Sequence, residues 1–191
     1  IYHLSLKLAK LGEHAKTRDR AYRHAIEITN ELDERTNFET SFTVEENGLG
    51  RYLRPEVDAT TDVDRYFTVG ERMYLHTTAA GKAILAEYPE ERVDFIVDRT
   101  GLPRQTDRTI TSREALKREL DGIRQRGYAL NRGEDQEGVY AIGQVARKPS
   151  GAVLGAISVA GPTYRTKKRR FEERLTSTLD EHIGKLEARL R

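Results

Sequence analysis

The chain has 191 residues, enough for one domain of about 140 to 150 residues with a long helical extension. Its 33 basic and 31 acidic residues leave a net charge of +2, so charge gives no argument for wholesale binding of nucleic acid or a membrane surface by this segment. The absence of cysteine excludes disulfides, thiolate zinc sites and cysteine nucleophiles.

Leu4, Leu8, Leu11 and Ala15, then Ala21, Ala25, Ile28 and Leu32, recur at helical spacing with charged residues between them. Two helical stretches with Gly12 between or near them therefore open the chain, and Asn37 ends the second; Leu4 to Leu8 fits a strand end equally well. From 39 to 66 the composition turns to Thr, Val, Phe and Tyr around Asn47-Gly48, a hairpin dipeptide, and strands are expected at 39–45, 49–54 and 62–68. A polar turn at 69–72 follows. A helix at 76–88 is capped by Thr77 or Thr78, and Pro89 opens another at 90–98 closed by Gly101. Thr111 and Glu114 read as a capping box for the helix carrying Ala115, Leu116, Leu120 and Ile123, with Gly127 as its left-handed terminus. A strand at 128–130, a polar loop at 131–137, and strands at 139–146 and 152–160 around Lys148-Pro149-Ser150-Gly151 come next. A last helix at 166–190 presents Phe171, Leu175, Leu179, Ile183 and Leu186 on one face. Strands and helices in this non-alternating order make an α+β antiparallel sheet. No run approaches the ~18 apolar residues of a membrane span and no signal-peptide layout opens the chain, so the expectation is a cytoplasmic protein without membrane contact. A start at Ile1 instead of Met suggests a portion of something longer.

Catalytic patterns are weak. No G-x-S-x-G occurs, and Ser158 lies inside an expected strand. The five histidines show no metal-ligand spacing, so no metal and no cofactor is expected; His76 reads as structural or capping. Asp58, Asp62 and Asp64 lack the glycine and spacing of a calcium loop, and Gly48-Leu49-Gly50 lacks the context of a dinucleotide fingerprint. Lys167 to Arg170 reads as a solvated helix start.

Two segments carry a candidate site. Leu75-His76-Thr77-Thr78-Ala79-Ala80-Gly81-Lys82-Ala83 places small residues at a helix start, where exposed N–H groups suit a carboxylate; close helix-to-sheet packing explains the same residues equally well. Asn131-Arg132-Gly133-Glu134-Asp135-Gln136-Glu137-Gly138 is a polar loop between apolar strands. Glu134 is suited to bracing it, and Asn131 to donating and accepting hydrogen bonds with a hydroxy- or keto-acid, while an ordinary solvated loop remains the alternative.

Read together, these segments resemble the effector-binding domain of the IclR family of transcription regulators. The pattern is carried by Gly70, Arg72, Leu75, His76, Thr78, Ala79, Gly81, Lys82 and Ala83, then by Arg124, Gly127, Tyr128, Glu134, Gly138, Ser158, Gly161 and Pro162. The resemblance implies a GAF-like sensor domain at 37–191 behind a linker helix at 15–36. Residues 1–14 would be the end of a winged helix-turn-helix domain and the start of the linker. It implies a small organic-acid effector held by Met73, Thr78, Ala79, Ala80, Asn131, Glu134, Ala141 and Ser158. It further implies a homodimer or tetramer, and DNA bound through an N-terminal domain absent from this chain. Ligand binding would shift a conformational population without any bond being made or broken. Two positions depart from the family pattern: Asn131 stands where aspartate is frequent, and Gln144 precedes Val145 where a proline is frequent. A stand-alone sensor of a signalling protein, or an acid–base enzyme using Glu134 or His76, are the alternative readings.

Overall fold

The computed structural model describes residues 5, 7–17, 19–53, 70, 72–166 and 168–191. Helix α1 (Lys7–Thr17) runs straight through Gly12, and the break to α2 (Arg20–Thr36) falls instead at Asp19, whose carboxylate accepts from the Ala21 N–H. The expectation of a boundary at Gly12 is thus corrected: a side-chain cap decides where the second helix begins. Asn37 adopts the left-handed conformation and ends α2 as expected.

Strands β1 (Glu39–Glu46) and β2 (Leu49–Leu53) form a hairpin over Asn47 and Gly48, both at positive φ. Strand β3 (Arg72–Tyr74) occupies part of what reads as a polar turn. Its three residues carry little strand signal and owe their state to pairing with β2, in which Met73 lies opposite Gly50. The strand expected at 62–68 lies outside the described residues, as do Asp58, Asp62 and Asp64.

Helix α3 (Ala79–Ala86) is shorter than the expected 76–88, and α4 (Glu90–Thr100) longer than 90–98. Helix α5 (Arg113–Arg126) is capped by Ser112 instead of Thr111, with Gly127 closing it at φ +82°. Strand β4 (Ala129–Asn131), β5 (Val139–Arg147) and β6 (Val153–Pro162) follow, the last two as a hairpin, and α6 (Lys168–Arg189) closes the chain. Phe171 and the basic run at 167–170 have side chains outside the described residues.

The sheet runs β3-β2-β1-β6-β5-β4 and every neighbouring pair is antiparallel. The two-residue alternation of strands divides its side chains between two cores. Phe42, Tyr140, Ile142, Ile157 and Val159 pack beneath α2 and α6, against Ile28, Leu32, Leu175 and Leu179. Val145 and Ala156 face the other way, toward Ile84, Leu85, Leu116 and Leu120 of α3 and α5. The result is helix, sheet, helix: an α+β sandwich of three layers in which the α3 face also carries polar residues. Among the described residues no helix is long and apolar enough to cross a membrane.

Candidate functional site

Helix α3 begins where Thr78 stays extended and its Oγ1 accepts from the Gly81 N–H at 3.0 Å. The Lys82 N–H turns back to the Thr78 carbonyl at 2.9 Å. Ala79 and Ala80 are then the helix-start amides without a protein acceptor among the described residues, and a helix start is where such donors favour negative charge. Glycine on both sides brings this turn into the core. A Cβ on Gly143 of β5 would lie 2.8 Å from the Ala79 carbonyl carbon and the Ala80 nitrogen, and one on Gly81 would lie 2.3 Å from the Leu75 carbonyl oxygen. The packing explanation of these small residues is therefore real, and it coexists with unpaired amides.

The loop after β4 is braced from within. Asn131 Oδ1 accepts from the Gly133 and Glu134 N–H groups at 2.8 and 2.9 Å, and Glu134 Oε2 accepts from the Arg132 N–H at 2.8 Å. Thr106 and Thr109 donate to the Gly133 and Glu134 carbonyls at 2.7 and 2.6 Å. Two side-chain links tie the loop to α3. Thr77 Oγ1 meets Asp135 Oδ1 at 2.8 Å, and the Lys82 ammonium, with no solvent exposure, pairs with Glu134. The alternative reading of a solvated loop describes Gln136, Glu137 and Gly138, which are exposed, but not Asn131 and Glu134, which are buried.

Between the helix start and the loop lies a hollow lined by Tyr52, Thr78, Ala79, Asn131, Ala141 and Ser158, together with Asp135, Gln136 and Val139. Of the eight residues singled out from sequence, five meet here: Thr78, Ala79, Asn131, Ala141 and Ser158. The other three stand behind the wall. Ala80 sits one residue deeper in the helix, Glu134 uses both oxygens to hold the loop, and Met73 packs on Gly50 while its sulfur accepts from Thr78 Oγ1 at 3.1 Å. Tyr52, Asp135, Gln136 and Val139 were missed. Asp135 and Gln136 lie in the loop already singled out, whereas only the sheet order brings Tyr52 across. The cavity measures about 10 Å³, room for one water. Since Asn131 Oδ1 is engaged by the loop, its NH₂ is the group left for a ligand, a donor that complements an acid. The Ser158 hydroxyl shares a hydrogen bond with Ser41 at 2.9 Å.

His76 lies buried beside this site, its Nε2 3.2 Å from the Pro103 carbonyl. Burial holds its pKa below the ordinary 6.5, the Lys82 cation adding to the effect and the Pro103 contact opposing it. As pH falls through about 6.5 the unfolded chain takes up a proton that the folded imidazole resists, so stability is full above that value and declines below it. The urea midpoint is expected to fall between about pH 7.5 and 5.5 by more in the wild type than in His76→Gln. Equal slopes would show that the imidazole is not the cause. Among the described residues there is no group of three or more His, Cys, Asp or Glu able to hold a metal.

The family model described as "Bacterial transcriptional regulator IclR C-terminal" matches residues 16–186. This chain belongs to the IclR family. It is 31% identical over 172 residues to the HTH-type transcriptional regulator KdgR of Escherichia coli, covering 90% of this chain and 65% of that one. It is 37% identical over 103 residues to the repressor AllR of Klebsiella pneumoniae, covering 54% and 38% of the two chains. The chain thus spans less than two thirds of these curated relatives' length. Among solved structures, the Thermotoga maritima IclR superposes with a TM-score of 0.87 at 26% identity, covering 97% of this chain and 74% of that one. The C-terminal domain of Escherichia coli KdgR superposes at 0.77 and 28% identity, covering 89% and 98%. The three-layer arrangement is therefore the GAF-like C-terminal fold of IclR proteins, and its relatives are transcription regulators.

Proposed function

We propose that this IclR-type domain is the sensor of a DNA-binding transcription regulator, that it takes a small organic acid in the hollow between α3 and the loop after β4, and that it catalyses nothing. The observation that carries the reading is the unpaired Ala79 amide at the start of α3, in a residue that lines the same closed hollow as Asn131, whose NH₂ is left for a ligand. A carboxylate bound there would gain hydrogen bonds from a helix start and a neutral amide, while the one acid in the lining, Asp135, has Oδ1 engaged by the Thr77 hydroxyl. DNA would be contacted through a further domain, and assembly as a homodimer or tetramer would pair two such readers.

A cavity the size of one water does not admit an acid of six or more heavy atoms. Binding therefore requires a wider state, and the ligand acts by favouring it. Met73, unbranched and adaptable behind Thr78, is the side chain best placed to yield. The mechanism is a population shift, in keeping with a site whose hydroxyls and carboxylates are engaged in holding its walls.

A thermal-shift panel of lactate, pyruvate, glycerate and benzoate tests the proposal. At an acid concentration a hundredfold above Kd the melting temperature is expected to rise by about 5 to 10 °C. Asn131→Leu, if folded, is expected to lose that rise. Retention of the full shift in Asn131→Leu, or a flat response to every acid, would rule out the site.

A further inference from the structure

A second cavity, of about 360 Å³, opens at the far end of α3, between α3, α5, α6 and the edge of β5. It exists because β4 is short: its ladder with β5 stops at Ala129 opposite Gly143, leaving Val145 and Arg147 beyond it paired with β6 alone. The Thr163 N–H bonds the Gly138 carbonyl at 2.7 Å, so even-numbered residues of β5 direct their backbone toward β6 and odd-numbered ones toward the open edge. The Arg147 N–H confirms this direction by reaching Glu187 on α6 at 2.8 Å. The Val145 N–H and C=O face the same way and have no protein partner among the described residues. Val145 lines the cavity, so a ligand there can meet these groups.

The side chains around this edge want donors. Gln144, 7% exposed, lines the cavity; its Nε2 donates to Asp180 at 2.7 Å, while its buried Oε1 has no partner. Asp180 and Glu187 also line it, and neither forms an ion pair among the described residues. Arg124 and Arg147 line the cavity too, but their charges are engaged: Arg147 pairs with Glu87 of the same wall at 2.6 Å, and Arg124 donates to the Ala86 and Tyr88 carbonyls and to Asp121, which leaves Asp180 and Glu187 uncompensated. Gly184 completes the wall from inside α6. A glycine there weakens the helix, yet a Cβ on it would meet nothing within 4 Å, so packing does not call for it. Its effect is to keep the cavity open.

We propose that this cavity is a second ligand site, separate from the acid-binding hollow, and that it takes a small organic cation, an amine, amidine or guanidine. The cation's N–H groups bond Asp180, Glu187 and the Val145 carbonyl. Its volume is that of a small-molecule pocket. The two sites share α3: Ala79 lines the first and Ala83 the second, about one helical turn apart. A ligand in either one thus bears on the same short helix.

The test is a titration of the ¹⁵N-labelled chain with benzamidine and agmatine, with benzamide and benzoate as controls, followed at the amides of Gly127, Val145 and Gly184. Both cations are expected to move these signals saturably, leaving Ala79 and Gly133 in place, and to bind at least about tenfold more tightly than either control. Gly184→Leu, which fills the cavity, and Asp180→Asn, which removes charge, are each expected to weaken binding about tenfold or more. Gly184→Ala is expected to preserve it. The proposal is overturned by an absence of saturable shifts, by equal response to benzamide or benzoate, or by shifts centred on Ala79 and Gly133. It is equally overturned if Asp180→Asn, or a folded Gly184→Leu, titrates as the wild type does.

Discussion

Lys82→Met is expected to lower the free energy of unfolding by about 3 to 5 kcal/mol, the penalty for removing one member of a buried ion pair. Lys82 has no solvent exposure, and its ammonium sits against Glu134 with Glu119 3.7 Å away. Glu119 is itself held by Arg126 at 2.7 Å, so Glu134 is the carboxylate that loses its cation. Left in a buried site, Glu134 either stays charged without compensation or takes up a proton, and both outcomes cost stability. For a chain of this length the loss corresponds to a fall in melting temperature of roughly 10 °C. The double variant Lys82→Met with Glu134→Gln is expected to recover most of it, because Gln retains an oxygen to accept from the Arg132 N–H while the buried charge is gone. Urea unfolding of the two single variants and the double variant measures the coupling. A double variant no more stable than Lys82→Met would show that the pair is not the source. The same brace positions the loop, so acid affinity falls in the single variant and returns in the double.

This pair shows where reading the sequence stops. Glu134 stands out as a brace because it lies in a polar loop between apolar strands, but its partner is 52 residues away and on a helix. Nothing local connects them. Features written in a few neighbouring residues were legible: the Asn47-Gly48 hairpin, Asn37 and Gly127 as left-handed helix ends, the turn at 148–151, and the apolar stripe of α6. Features created by pairing across the sheet were not. Arg72–Tyr74 becomes a strand through β2, and Ser158 finds Ser41 only because β1 lies beside β6. For the site, the two segments supplied Thr78, Ala79 and Asn131 of the hollow, and the family resemblance added Ala141 and Ser158. Of the three singled-out residues that stand behind it, two share a physical reason: Met73 and Glu134 act through hydrogen bonds to Thr78 and the loop backbone, and such geometry depends on three-dimensional packing. Gln144, singled out for standing where a proline is frequent, lies at the other cavity.

The two glycines of α3 and α6 give the sharpest contrast available to a single methyl group. Gly184→Ala is expected to raise stability by about 0.5 to 1 kcal/mol, since the methyl enters open space and alanine favours the helix. Gly81→Ala carries the same gain in helix propensity but is expected to lower stability by about 2 to 3 kcal/mol. Its methyl would lie 2.3 Å from the Leu75 oxygen, 2.5 Å from its Cα and 2.7 Å from its carbonyl carbon, all backbone, none able to swing aside. Relief requires α3 to move away from the turn at 75–78, and Gly143 leaves little slack on the opposite side, where β5 already touches the backbone of Ala79 and Ala80. The helix start is therefore clamped between two glycine contacts, and moving it displaces Ala79, whose amide shares the hollow with Asn131. Chemical denaturation of the two variants in parallel, with acid binding measured on each, separates packing from function. Gly81→Ala should lose both stability and acid affinity, Gly184→Ala neither. A Gly81→Ala protein as stable as the wild type would mean that α3 is not held against the turn, and the closed cleft would lose its physical basis.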